Sequence, residues 1–534
     1  TPPECLFFFG ASSHSPFVGL QVRSWMHLQV VKVCGFAAVG ALFFGIDLSN
    51  WAGASNKEDF LELFCWGGGF DLTPEGHANC LSGVGSRQSQ AWANAVGLMA
   101  GALQMGAATA SLVVAPIVSD QFGRKCCLWT GCGVGTAGIT VACLSRTVQV
   151  MVVGRFVLGM GAGLVSYGLP MYTSEVSPKD SRGAMTSLFQ LFTAVGVVIG
   201  AVINVPRRWP WWVPFAVPVV PAGVLAIGLL FLPESPRWLL KQNRYDEAMA
   251  VLTYLRSDTP EAIHSELEEI ESAIRQEEAA AAESSWLDLC AAGVWQRVGV
   301  AVGLQIFQQL TGINIVVAFG SLFFRSAGLT GDKAILGTLL TSCGALAGIV
   351  LLLTSIDRFG RRSVLLSSST VLFASITTAG IIGVTAPAGP MSPTLGWIMI
   401  GDMILFQFGF ALGWGAIPWV YPSEIFTLRT KARGMAVSVS AQFTTNFIVV
   451  YGFPNVNKVI GIYNVCFVLA GFIALSGVFV LIFLPETMGI ALEDMDALFG
   501  SSTVPPKAER TMGLGPPPVG SESIEEQSKP QLKL

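Results

Sequence analysis

The chain is expected to be an all-α membrane protein, with twelve transmembrane helices in two pseudo-symmetric six-helix bundles and a cytoplasmic helical linker between them. Three observations carry that expectation. Of 534 residues, 52% are hydrophobic and only 12% charged, with 59 Gly. A soluble chain carries about 25% charge, and abundant small residues let membrane helices approach closely. The apolar runs repeatedly reach the ~20 residues that a bilayer-spanning helix needs. Finally, three motifs recur in one order. Asp120-Gln121-Phe122-Gly123-Arg124-Lys125 returns as Asp357-Arg358-Phe359-Gly360-Arg361-Arg362. Ser174-Glu175 leads to Arg182-Gly183, and Ser423-Glu424 leads to Arg433-Gly434. Pro233-Glu234-Ser235 returns as Pro485-Glu486-Thr487. The offsets are 237 residues (120 to 357), 249 (175 to 424) and 252 (233 to 485), so one half is a duplicate of the other.

The elements follow in order. The chain begins Thr1-Pro2-Pro3 without Met, and residues 1–32 read as a mobile N-terminal segment with no clear cleavage site. Spans are expected near 33–54, 92–118, 126–145, 148–171, 184–204 and 211–232, which makes 33–232 the first bundle. Residues 55–90 form a polar loop with five carboxylates (Glu58, Asp59, Glu62, Asp71, Glu75). A charged, Ala/Glu-rich stretch makes 233–293 the linker, with an amphipathic helix at 259–283. The second bundle, 294–499, spans near 294–324, 334–356, 363–386, 397–421, 434–453 and 460–484. The tail, 500–534, is rich in Pro, Ser, Glu and Gln and reads as disordered.

Orientation follows from the bases. Arg124/Lys125, Lys179/Arg182, Arg237/Lys241, Arg358/Arg361/Arg362 and Arg429/Lys431/Arg433 all fall on one side, opposite the acidic 55–90 loop. Cytoplasmic loops carry the excess of Lys and Arg, so that side and both termini are expected in the cytoplasm. A net charge of −4 and no basic tract imply no nucleic-acid partner. Most of the eleven cysteines lie in apolar runs as small filler, and none has zinc-ligand spacing in a polar loop. Neither metal nor cofactor is expected. Cys65 and Cys80 lie in the 55–90 loop, where a disulfide or two free thiols are both open. No nucleophile–base pair or nucleotide loop argues for an enzyme, and the four His are scattered.

With both halves in view, the chain resembles the sugar-porter family of the major facilitator superfamily over about 33–495. Besides the paired motifs, the resemblance rests on Gly154-Arg155 with Gly159, Gly161 and Gly163. It also rests on Pro233-Glu234-Ser235-Pro236-Arg237-Trp238 and on Gln308-Gln309-Leu310-Thr311-Gly312-Ile313-Asn314. It implies transport of monosaccharides by alternating access, with a lipid bilayer as surroundings and the plasma membrane as location. It implies cytoplasmic salt-bridge clusters of Asp120, Arg124, Glu175 and Arg182 in one half and Asp357, Arg361, Glu424 and Arg433 in the other. These would latch the cytoplasmic side in the outward-open state and separate on switching. The alternative for these residues is juxtamembrane charge that only sets topology.

Asp47 lies inside the first span, where a carboxylate is costly unless paired or neutral, and Arg155 in the fourth span is its expected partner. A carboxylate whose proton affinity depends on a nearby Arg makes a proton switch, and the matching Asp does this in the family's proton symporters. The alternative is a static pair joining two helices. By motif position the sugar would meet Gln190, Gln308, Gln309, Asn314, Trp419, Gln442 and Asn446. Amides match hydroxyls as donor and acceptor, although they also glue membrane helices together. The chain departs from the family at Ser49 (Gly), Ala318-Phe319 (Tyr-Tyr), Ala345 (Asn), Ala416 (Pro), Phe443 (Trp) and Met488 (Lys), so a changed hexose preference or a polyol is open. The expected function is therefore proton-coupled uptake of a hexose such as glucose. A hexose or polyol facilitator and a membrane sugar sensor are the alternatives.

Overall fold

The computed structural model describes residues 28–55, 57–66, 90–178, 181–206, 208–256, 259–282, 285–291, 293–327, 329, 332–385, 393–427, 430–487 and 499. Among them, ten helices are long and apolar enough to cross a membrane: Leu28–Ala54, Trp92–Phe122, Arg124–Cys143, Val148–Val176, Met185–Ile203, Val294–Gly320, Arg361–Thr385, Thr394–Ile425, Arg433–Ile460 and Ile462–Phe483. Two shorter apolar helices, Trp212–Gly228 and Leu336–Leu352, stand where the sixth and eighth spans are expected. The first helix begins at Leu28, not at 33, because Val30, Val33 and Cys34 are already buried in the bundle. The mobile segment expected before it and the tail from 500 lie outside the described residues.

Several spans are broken, and the breaks have local causes. Pro218 divides the sixth span into Trp212–Ala216 and Val219–Gly228. The second span carries a π-turn at Ala110–Val114 just before Pro116. The seventh breaks at Thr311-Gly312, between Val294–Leu310 and Ile313–Ser326. The tenth breaks at 413–416, where Gly-rich sequence separates Pro393–Leu412 from Ile417–Ile425.

At one end of the bundle, the stretch read as a loop after the first span contains a short helix, Glu58–Leu61, and a π-turn, Glu62–Trp66. Apolar burial overrides its acidity. Phe60 and Phe64 stack among Trp51, Trp211 and Phe215 with ring centres 4.6–6.5 Å apart. Asp59 Oδ2 accepts the Trp211 N–H at 2.7 Å, and Lys57 Nζ donates to the Trp209 carbonyl at 2.6 Å. Here the halves also meet closely. A Cβ on Gly97 of the second span would stand 2.4 Å from the Tyr451 carbonyl of the eleventh, and one on Gly101 2.8 Å from Phe447.

The opposite end carries the repeated turns and the linker. Linker helices Pro236–Lys241, Tyr245–Arg256 and Pro260–Ala282 share an apolar core of Trp238, Leu239, Ala248, Leu252, Ile263 and Leu267. Arg256 ties them to the first half, donating to the Val176 carbonyl at 2.8 Å and pairing with Glu266 at 2.9 Å. Arg237 pairs with Glu277. Arg433 of the second half lies over the Trp286 ring, 5.7 Å from its centre.

Candidate functional site

The linker-end polar clusters are built twice from equivalent residues. In the first half the Arg124 guanidinium forks onto Glu175, Nε to Oε2 at 2.8 Å and Nη2 to Oε1 at 2.9 Å. Arg124 Nη1 also reaches Asp120 at 3.3 Å. Ser235 Oγ donates to Glu175, and the Tyr172 hydroxyl donates to the Pro233 carbonyl at 2.9 Å. In the second half Arg361 meets Glu424 at 3.0 Å and 3.2 Å, and Thr487 Oγ1 donates to Glu424 at 2.7 Å. There the Tyr421 hydroxyl donates to the Pro485 carbonyl at 2.8 Å. Among the described residues Arg182 makes no ion pair. The side chain of Asp357, the side chain of Cys65 and all of Cys80 lie outside the described residues.

Two carboxylates that the sequence reading used only as motif markers complete these clusters. Glu234 accepts the backbone N–H groups of Arg124 and Lys125, and Glu486 accepts those of Arg361 and Arg362. Each sits at a helix N-terminus, where N–H groups lack intrahelical acceptors and negative charge is favoured by about 0.3–1 kcal/mol. The repeat itself held the signal, because the Pro-Glu-Ser and Pro-Glu-Thr copies stand at the same place in each half.

Midway along the bundle the seventh span lies against the broken tenth. Gln308 Nε2 donates to the Trp414 carbonyl at 2.7 Å, and Gln305 Nε2 to the Pro418 carbonyl at 2.9 Å. These carbonyls stand four residues before Pro418 and Pro422, which have no N–H to offer them, so buried side chains supply the donors that the helix cannot. The break at Gly312 in turn folds Asn314 back, and its Nδ2 donates to Gln309 Oε1 at 2.5 Å. Gln309 donates to Gln308 Oε1 at 3.3 Å, which also accepts from Gln442 at 3.4 Å. The acceptor oxygens Gln442 Oε1 and Asn446 Oδ1 are buried with no hydrogen-bond partner among the described residues. Gln308, Gln309, Asn314 and Gln442 are thus one hydrogen-bonded set, with Asn446 one turn beyond Gln442. Gln190 and Trp419 are half-buried and make no hydrogen bond to this set among the described residues.

Asp47 and Arg155 line one cleft, and Asn314 lines it too. Asp47 and Arg155 are each 2% exposed. The expected direct ion pair is not made. Arg155 Nε donates instead to the Met99 carbonyl at 2.6 Å. Its guanidinium carbon lies 4.7 Å from the Trp51 ring centre and 5.6 Å from that of Phe215. Cation–π contact and a carbonyl hold the cation, leaving Asp47 Oδ1 and Oδ2 and Arg155 Nη1 without hydrogen-bond partners among the described residues. Sequence reasoning also missed buried Gln104 in the same cleft, buried Gln305, and half-buried Asp402 of the tenth span, whose Oδ2 has no partner among the described residues. None stands in a motif.

With this geometry in hand, the comparisons with known proteins are decisive on one point. The profile described as "Sugar (and other) transporter" matches residues 33–499. The chain belongs to the sugar transporter family. Among its relatives, "Sugar transport protein MST5" of Oryza sativa subsp. japonica is 28% identical over 478 residues, covering 88% of this chain and 89% of the relative. "Putative polyol transporter 1" of Arabidopsis thaliana is 33% identical over 409 residues, covering 72% of this chain and 80% of the relative. The family's two-bundle fold is seen again in the xylose transporter XylE from E. coli, in a partially occluded inward-open conformation. That structure superposes with a TM-score of 0.70 at 22% identity, covering 86% of this chain and 99% of XylE. The proton:xylose symporter XylE bound to 6-bromo-6-deoxy-D-glucose gives 0.69 at 24% identity, covering 88% and 99%.

Proposed function

We propose that this transporter moves a monosaccharide by alternating access and couples that movement to a proton. The observation that carries the coupling is the single cleft lined by Asp47, Arg155 and Asn314. A carboxylate without a hydrogen-bond partner has its oxygens free to take a proton, and approach of the cation would release it. Asn314 belongs to the hydrogen-bonded amide set, so charge on Asp47 and occupancy of the sugar site act on the same helices. The open acceptors Gln442 Oε1 and Asn446 Oδ1 are matched to sugar hydroxyls. In this reading Trp419 and Gln190 approach the sugar only when the halves rock. The names of the relatives support a sugar substrate, and the proton:xylose symporter XylE, which shares the fold, is a parallel for proton symport.

The linker end is assigned to the cytoplasm by the positive-inside tendency, with the plasma membrane as the location. The Arg124–Glu175 and Arg361–Glu424 clusters join helices within each half. In this reading they latch the cytoplasmic side in the outward-open state and separate on switching.

A second reading has its own support. The 33% identity to a putative polyol transporter favours a polyol as cargo. Uptake of labelled hexoses and hexitols in transporter-deficient yeast, at two external pH values and with a protonophore, separates the readings. Proton-dependent accumulation of a hexose supports the first. Accumulation of a hexitol alone supports the second.

A further inference from the structure

We infer that Gln104 is a specificity-determining residue that takes one hydroxyl of the transported substrate beside Asp47, an inference that rests on the transport reading above. Gln104 interrupts an otherwise apolar, small-residue run, Leu98-Met99-Ala100-Gly101-Ala102-Leu103-Gln104-Met105-Gly106. A primary amide there costs free energy unless something bonds it. Gln104 is 6% exposed, lines the cleft with Asp47, Trp51, Arg155 and Asn314, and makes no hydrogen bond among the described residues. It is therefore an unpartnered buried amide that lines the same cleft as Asn314, and the two belong to different halves.

Its position is fixed by packing. One turn away, Gly101 seats the Phe447 ring, while the Met99 carbonyl holds Arg155. The same turn of the second span thus anchors the cation and contacts the eleventh span next to Asn446. One side-chain amide supplies a donor and an acceptor, which is what a hydroxyl needs and what an apolar ligand would leave unused. A polyhydroxylated substrate spanning the cleft would bond Asn314 from one half and Gln104 from the other. Binding would then draw the halves together next to the proton-carrying carboxylate.

The test is transport by wild type, Gln104→Leu and Gln104→Asn against the parent substrate and its series of monodeoxy analogues, normalised to protein at the cell surface. A buried hydroxyl with a matched partner is worth about tenfold in affinity. Wild type is expected to discriminate against one particular deoxy analogue by about tenfold. Gln104→Leu should raise KM for the parent to the value for that analogue and leave the ratios for all other analogues unchanged. Gln104→Asn, which keeps the amide one methylene short, should retain part of the same selective discrimination. A merely structural amide would raise KM equally across the series or only lower surface protein, and either result overturns the inference. An unchanged analogue profile overturns it as well, with sugar transport left standing. No uptake of any hexose or hexitol by surface-resident wild type would instead overturn the transport reading, and this inference with it.

Discussion

The Glu234 carboxylate caps the helix that begins at Arg124, accepting the Arg124 N–H at 3.2 Å and the Lys125 N–H at 3.2 Å. Glu486 does the same for Arg361 at 2.9 Å and Arg362 at 3.0 Å. Both turns reach this geometry through glycine. Gly123 has φ +99° and Gly360 φ +78°, and a Cβ on either would stand 2.5 Å from the capping carboxylate. Gly123→Ala and Gly360→Ala are therefore strained and displace the cap. Each is expected to cost about 2 kcal/mol, read as a lower melting temperature in detergent, whereas Ala at Gly133, where nothing lies within 4 Å, should cost far less.

Burial pushes the Glu234 carboxyl up from its ordinary range, against the lowering pull of the Ser235, Lys125 and Arg124 N–H groups. A raised carboxylate value means that the unfolded chain ionises first. Glu234 therefore favours the native state in acid, and that contribution is lost as pH rises through the raised value. The stability difference between wild type and Glu234→Gln should fall from about pH 4 upward and then level off. A difference that grows over the same range would contradict the assignment.

The two Arg–Glu pairs differ in burial, and their mutational costs should differ accordingly. Arg124 and Glu175 are 3% and 9% exposed, against 16% and 22% for Arg361 and Glu424. Removing one partner of a buried pair costs about 3–5 kcal/mol because the other charge is stranded. Glu175→Ala should therefore destabilise by about 3 kcal/mol and Glu424→Ala by distinctly less. Equal costs would mean that burial does not set the scale here.

The chain's plan was legible because it is written at low resolution and written twice. Apolar runs locate the spans, and the linker helix expected at 259–283 stands at Pro260–Ala282. Glu175 and Arg124 could be named together because each half repeats them. What could not be read is whatever depends on a break or a neighbour. Nothing in the sequence says that Gln305 and Gln308 serve the carbonyls that Pro418 and Pro422 leave without a helical donor. Nothing says that Trp51 and the Met99 carbonyl hold Arg155, keeping it from a hydrogen bond to Asp47. Gln104 and Asp402 are single polar residues in apolar runs, and only the cleft or the packing around them gives them meaning. The acidic stretch after the first span has the composition of a loop, yet Phe60 and Phe64 fold it onto Trp211.

The amide set gives a graded expectation. Gln308 donates to the Trp414 backbone and joins the amide chain, whereas Asn446 leaves its acceptor without a protein partner among the described residues. Gln308→Ala should lower both folded protein and affinity. Asn446→Ala should raise KM by about tenfold with surface protein unchanged, measured by uptake kinetics and surface labelling.

Transport in liposomes decides whether Asp47 carries the coupled proton. Wild type and Asp47→Asn would be reconstituted in liposomes, and sugar accumulation and equilibrium exchange followed with and without an inward proton gradient. Wild type is expected to accumulate sugar against its gradient only when the proton gradient is present. Asp47→Asn should still exchange sugar but no longer accumulate it. Accumulation preserved in Asp47→Asn, or a wild type that only equilibrates whatever the gradient, would contradict that role and leave Asp47 and Arg155 a structural feature of a facilitator.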